Sequence, residues 1–119
     1  MSIASDFTSL RNGLRLCRQT HPQLRVTQLE FLVTVALHPG STQTELAREC
    51  EVELPTISRA VDVFSTSGRR DNKSVAFGFV ESRTSEHDHR IRQIFLTPAG
   101  KEFLSLFTAL TYTAPGVPQ

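Results

Sequence analysis

The stretch Gly78–Gly100, GFVESRTSEHDHRIRQIFLTPAG, runs apolar, then polar and charged, then apolar, and closes on Thr-Pro. FVESR and RIRQIFL read as two strands joined by TSEHDH. In the second strand Ile94 and Leu96 share one face and Phe95 takes the other, because side chains alternate along a strand. A hairpin needs only about two to five loop residues. Here seven soluble ones, Thr84 to Arg90, stand between the strands, which suggests a loop with a partner outside the fold. Thr97 is placed to cap a closing helix with Pro98 at its first position.

Upstream, the signals are helical. Ile3, Phe7, Leu10, Leu14 and Cys17 recur in steps of four and three, a narrow apolar seam that can face the same chain or a second copy. His21-Pro22 ends that helix. Thr27 and Glu30 form a capping-box pattern before FLVTVAL, a run so apolar that it predicts a central helix ended by HPG at 38–40. Thr42 and Glu45 form a second capping box before a short helix burying Leu46, Ala47 and Cys50. A fourth helix opens with Pro55 in its first turn. There Ile57, Ala60, Val61 and Phe64 turn inward, which points Pro55, Arg59 and Asp62 outward and leaves Ser58 at the edge. Residues 65–77 read as an inserted basic loop, and Phe103, Phe107 and Leu110 stripe the last helix.

Two short helices joined by a tight turn and followed by a hairpin describe a winged helix-turn-helix. The expected fold is mainly α with a small β-hairpin. Its parts are an N-terminal helix over 1–21, a helix-turn-helix over 42–64, the insertion over 65–77, a wing over 78–96 and a C-terminal helix over 98–112. The chain's 119 residues suit one domain, 1–113, and the end APGVPQ, 114–119, reads as a disordered tail.

Composition narrows the function classes. Net charge is +1, but it is unevenly placed. Residues 1–25 carry four arginines against one aspartate, residues 65–96 six cations against four acids, and residues 42–64 two arginines against five acids. No run approaches the roughly 20 apolar residues of a membrane span, and no signal-peptide layout opens the chain, so a cytoplasmic protein is expected. Cys17 and Cys50 read as reduced, packed thiols. A reactive Cys17 would need a depressed pKa. His87 and His89 would share a hairpin face, but two ligands make no metal site. No nucleophile elbow, phosphate loop or paired-carboxylate pattern is present, so neither an enzyme nor a cofactor is expected.

From Thr27 to Leu104 the chain resembles the MarR family of bacterial transcription regulators. Three blocks carry the resemblance: TQLEFLVTVAL, TQTELARECEVELPTISRAVDVF and GFVESRTSEHDHRIRQIFLTPAGKEFL. The last is the most specific, with V-E-x-R, then D-x-R, then L-T-x-x-G. The resemblance implies a homodimer joined by its terminal helices, which act as dimerisation helices through Phe7, Leu10, Leu14, Phe103, Phe107 and Leu110. It implies a reading helix in the major groove of double-stranded DNA, with Thr56, Ser58 and Arg59 on it, and a wing whose Asp88 and Arg90 meet the minor groove. Arg69, Arg70 and Lys73 would be added contacts from the inserted link, which is similar to links in phage-encoded relatives. A repressor in a bacterium or a phage-infected host cell is the implied role, and nothing in the sequence specifies a small-molecule effector. The chain departs from the family pattern at Glu51, where the turn usually has Gly, at Glu53, where it usually has a capping Ser or Thr, and in its short C-terminus. The acidic reading unit leaves a second possibility open, a winged-helix module that binds another protein.

Overall fold

The computed structural model describes residues 3–65 and 78–107. The insertion's Arg69, Arg70 and Lys73, together with Leu110 and the tail, lie outside the described residues. The element order is α1 (Ile3–Thr20), α2 (Val26–Leu37), α3 (Gln43–Cys50), α4 (Leu54–Phe64), β1 (Val80–Thr84), β2 (Arg92–Leu96) and α5 (Pro98–Ser105). Contacts divide the chain into two compact units, Met1–Arg25 with Glu102–Gln119, and Val26–Lys101.

The second unit is built around three phenylalanines. Phe64, at the end of α4, is fully buried. Its ring stacks on Phe31 of α2 at 6.0 Å and 10°, and on Phe79 at 6.0 Å and 18°. The Phe79 backbone N–H donates to the Phe64 carbonyl at 2.8 Å, and Ser65 bridges Val80 in parallel. Leu32, Val35, Leu46, Ile57, Val80 and Ile94 complete the core.

The hairpin has the expected alternation. β1 and β2 are antiparallel with Val80 opposite Leu96 and Ser82 opposite Ile94. Ile94 and Leu96 are buried, and Phe95 lies on the other face, where the Arg83 guanidinium covers its ring at 4.4 Å. A third partner was not read from the sequence. Gly40 N–H donates to the Ile94 carbonyl and Ile94 N–H to the Ser41 carbonyl, both at 2.9 Å. One residue pair is too short to leave an alternating pattern. Gly40 has φ +86°, a region glycine enters without steric cost.

The L-T-x-x-G pattern has a mechanical reason. The Thr97 hydroxyl accepts from Gly100 N–H at 3.1 Å and so caps α5. A side chain at Gly100 would collide with the Phe79 carbonyl, to which Thr97 N–H donates at 3.0 Å. Glycine thus lets α5 start directly against the root of the wing.

In the first unit, α1 turns Gly13 and Cys17 inward. A methyl at Gly13 would overlap the Leu106 carbonyl, so this glycine allows close approach of α1 to the 106–107 turn. Phe103 is buried among its neighbours, edge-on to His21 at 5.3 Å and to Phe107 at 5.6 Å.

Three expectations need correction. α2 begins at Val26, so Thr27 is its second residue and cannot act as a capping residue, which must precede the helix. α2 is not buried all round, since Val26, Val33 and Leu37 are exposed on one face while Phe31, Leu32, Thr34 and Val35 are buried. The apolar seam of α1 divides: Cys17 is buried, whereas Phe7, Leu10 and Leu14 are exposed. α5 is described over Pro98–Ser105, Leu106 and Phe107 bond to the carbonyls three residues back, and residues 108–112 of the expected helix lie outside the described residues.

Phe64→Ala removes the middle ring of the stack and should cost about 3–5 kcal/mol. Urea unfolding followed by circular dichroism measures it, and a loss below about 1 kcal/mol would contradict the central place given to this ring.

Candidate nucleic-acid interface

The reading unit is α3, the three-residue turn Glu51–Glu53 and α4. Thr42 caps α3 reciprocally: its hydroxyl accepts from Glu45 N–H at 3.2 Å, and the Glu45 carboxylate accepts from Thr42 N–H at 2.8 Å. The turn itself carries a conformational cost. Glu51 sits in the left-handed region at φ 58°, the sole non-glycine with positive φ among the described residues. Its N–H donates to the Arg48 carbonyl at 3.2 Å, and Val52 N–H donates to the Ala47 carbonyl at 3.1 Å. That pair of bonds is a Schellman closure, which ordinarily places glycine where Glu51 stands. Glu53 holds the capping position of α4 with no side-chain hydrogen bond to the helix. Its carboxylate can interact only with the helix's partial positive charge.

α4 presents the expected faces. Ile57, Ala60, Val61 and Phe64 are buried, and Pro55, Arg59 and Asp62 are exposed. Arg59 has no hydrogen-bond or ion-pair partner among the described residues. Thr56 and Ser58 are half-buried. The Ser58 hydroxyl donates to Gln43 Oε1 of α3 at 2.7 Å. No local pattern could reveal this bond, since its partners lie 15 residues apart.

The wing loop is organised by Asp88. Ser85, buried, closes its base with N–H donating to the Ile91 carbonyl at 2.8 Å. Asp88 Oδ1 accepts from Arg90 N–H at 3.0 Å and from Arg90 Nε at 3.1 Å, and Oδ2 accepts from Arg90 Nη2 at 3.1 Å. The D-x-R spacing therefore makes one carboxylate hold both the turn and the arginine fork. The Arg90 side chain is 90% exposed, so its orientation is fixed while its remaining N–H groups face solvent. The side-chain hydrogen bond from Arg90, and next its backbone N–H, hold the Asp88 carboxyl below its ordinary pKa, and the same pairing raises that of Arg90. At the strands' outer end Arg92 Nε donates to Ser82 Oγ at 2.8 Å, which ties the hairpin across its register. Arg83 pairs with Glu81 at 2.7 Å, which lowers the Glu81 pKa mainly through that hydrogen bond.

On α1, Arg11, Arg15 and Arg18 are exposed beside Phe7, Leu10 and Leu14. Phe103 is already buried within the chain, which removes it from any exposed seam. Burial raises the Cys17 pKa above the ordinary thiol value, the opposite of what a reactive thiolate requires. Among the described residues no group of three or more His, Cys, Asp or Glu is placed to hold a metal, and no helix is long and apolar enough to cross a membrane.

No family model and no curated protein matches the chain. Solved structures do. A MarR family transcription regulator is 22% identical at a TM-score of 0.58, over 92% of this chain and 62% of that one. The S. aureus MepR–DNA complex is 17% identical at a TM-score of 0.62, over 92% of this chain and 81% of that one. The transcriptional repressor CouR, bound to a 23-mer DNA duplex, is 20% identical at 0.58, over 92% and 69%. The fold is that of the MarR-family transcription regulators. This chain spans 62% of the length of the first of them. Within the MarR fold, α3 and α4 form the helix-turn-helix and the β1–β2 hairpin forms the wing.

Two outcomes test this geometry. Glu51→Gly should raise stability by about 0.5–1 kcal/mol, because relief of left-handed strain exceeds glycine's extra entropy cost. Equilibrium urea unfolding reads it, and a destabilised variant would contradict the closure. Asp88 should titrate below the ordinary aspartate value and return toward it in Arg90→Gln. Since its folded pKa is the lowered one, the turn's contribution is present above the unfolded value of 3.8 and lost as pH falls through the folded pKa. Carboxyl chemical shifts followed against pH would reveal an unshifted Asp88 if the pairing were absent in solution.

Proposed function

We propose that the chain is a member of the MarR family and a sequence-specific regulator that binds double-stranded DNA. It acts as a homodimeric repressor on a palindromic operator, in the cytoplasm of a bacterium or a phage-infected cell. The observation that carries this reading is Arg90: a cation held by Asp88 at the tip of a polar wing and left 90% exposed. A fixed guanidinium of this kind suits a narrow minor groove, where the potential is most negative. The exposed Arg59 on α4 supplies the complementary major-groove group, with Thr56 beside it. The likeness to MepR and CouR, both solved with DNA, supports the same reading.

In this reading residues 1–113 form one winged-helix domain, the insertion 65–77 adds Arg69, Arg70 and Lys73 as backbone contacts, and residues 114–119 take no part. The exposed Phe7, Leu10 and Leu14 support pairing of α1 with a second copy, joined by Phe107 and Leu110. Exposed apolar stripes of this kind mark contacts. No catalytic step is assigned to any residue.

The two arginines should fail differently. Arg90→Ala should weaken binding to specific and random duplexes alike and reduce the salt slope by about one counterion per subunit. Arg59→Ala should cost about 1–3 kcal/mol and relax preference at one base pair per half-site. Fluorescence anisotropy across a salt series measures both, with circular dichroism to verify folding. An Arg90→Ala variant of unchanged affinity would sink the wing assignment, and folded wild-type chain without duplex binding at low salt would favour a protein partner instead. Leu10→Glu with Leu14→Glu should give monomers in sedimentation, and a wild-type chain already monomeric at tens of micromolar would exclude the homodimer.

A further inference from the structure

α2 presents a second apolar face. Phe31, Leu32 and Val35 turn into the core, while Val26, Val33 and Leu37 are exposed, Val26 at 82% and Leu37 at 70%. At about 100° per residue these three and Glu30 fall on one narrow line opposite the core. Their steps of four, three and four are those of a coiled-coil seam with an acid at one seam position. α1 has the same spacing on its exposed side, where Phe7, Leu10 and Leu14 follow in steps of three and four. The α2 line is about 16 Å long and the α1 line about 10 Å, so the first can receive the whole of the second. The charges beside the two seams are opposite. Arg11, Arg15 and Arg18 flank the α1 seam, all exposed. Neither they nor the exposed Glu30 carboxylate has an ion-pair partner among the described residues. Two exposed apolar lines of matched spacing and opposite charge are complementary surfaces.

We infer that the outward face of α2 in one copy is the docking surface for α1 of a second copy. Phe7, Leu10 and Leu14 of one chain pack against Val26, Val33 and Leu37 of the other, and Glu30 meets the arginine stripe. A two-fold relates the copies, so the contact forms twice, once in each direction. A second α1 in the place of α2 would bring a like-charged stripe instead, which repels. A single polar residue in a seam also fixes the register of the pairing, at some cost in stability. The contact lies one helix away from the reading helix of the chain that receives it, because Phe31 of α2 stacks on Phe64 of α4. This rests on the homodimer reading above and names the surface that α1 meets there.

The test is disulfide trapping between two distinguishable copies. A tagged chain carries Leu14→Cys, and an untagged chain carries Val26→Cys, Val33→Cys or Leu37→Cys. Mild oxidation of the mixtures should join tagged to untagged chain for at least one of the three. The wild-type mixture, whose Cys17 and Cys50 are buried, is the blank. A charge swap gives a second readout. Glu30→Arg should weaken dimerisation in sedimentation roughly 5- to 20-fold, and Arg11→Glu added to it should restore most of the loss. Circular dichroism verifies that each variant is folded. A wild-type dimer that cross-links at none of the three α2 positions would overturn the inference and leave the homodimer standing. So would a folded Glu30→Arg variant that dimerises like wild type. A chain carrying both cysteines that closes the bond within itself at high dilution would overturn it too, since the α2 face would then be taken by the chain's own α1. Wild-type chain that is monomeric at tens of micromolar would remove the homodimer reading and this inference together.

Discussion

Everything in the unit from Val26 to Lys101 is set by the position of the Phe64 ring. It is the point where α2, the reading helix and the root of the wing meet, through Phe31 on one side and Phe79 on the other. The Phe79–Phe64 backbone bond and the Ser65–Val80 bridge then lock the chain entering the insertion to the chain leaving it. The described residues on either side of 66–77 are thereby held together. Gly100 extends the same logic to α5, whose first turn lies against the Phe79 carbonyl.

Much of this was legible in the sequence because it is local. The α4 core face, the Thr42–Glu45 box, the Thr97 cap and the Ile94–Leu96 alternation all repeat at the periods of the elements that carry them. The D-x-R spacing was legible too, since Asp88 and Arg90 are two residues apart. What escaped was long-range or single. The Ser41–Ile94 bridge is one residue long, and the Ser58–Gln43 bond crosses two helices. Thr27 misled because a T-x-x-E pattern does not say on which side of it the helix begins, and α2 starts at Val26, two residues before the Gln28 start that a cap at Thr27 implies. FLVTVAL misled because hydrophobicity alone does not show which face a neighbour covers, and Val33 and Leu37 are exposed.

The reading unit also concedes stability where it meets its proposed partner. Glu51 occupies a glycine conformation, Glu53 caps without a hydrogen bond, and both are exposed acids that would repel a phosphate brought near them. Against them stand the positive starts of α3 and α4, the exposed Arg59 and the wing's Arg90. An interface that mixes repulsive and attractive charges in this way binds non-specific duplex weakly and depends on well-placed contacts for the rest. Asp88 is the arrangement in small: an acid in a loop proposed to meet DNA is tolerable when both its oxygens are occupied by the arginine it orients.

The measurement closest to the central claim is selection of bound fragments from random duplex DNA by the purified chain at moderate salt. Two reading helices related by a two-fold should enrich a palindrome whose half-sites lie about one helical turn, roughly 10 base pairs, apart. A pool that shows no enrichment after repeated rounds, with the protein folded, would contradict the account.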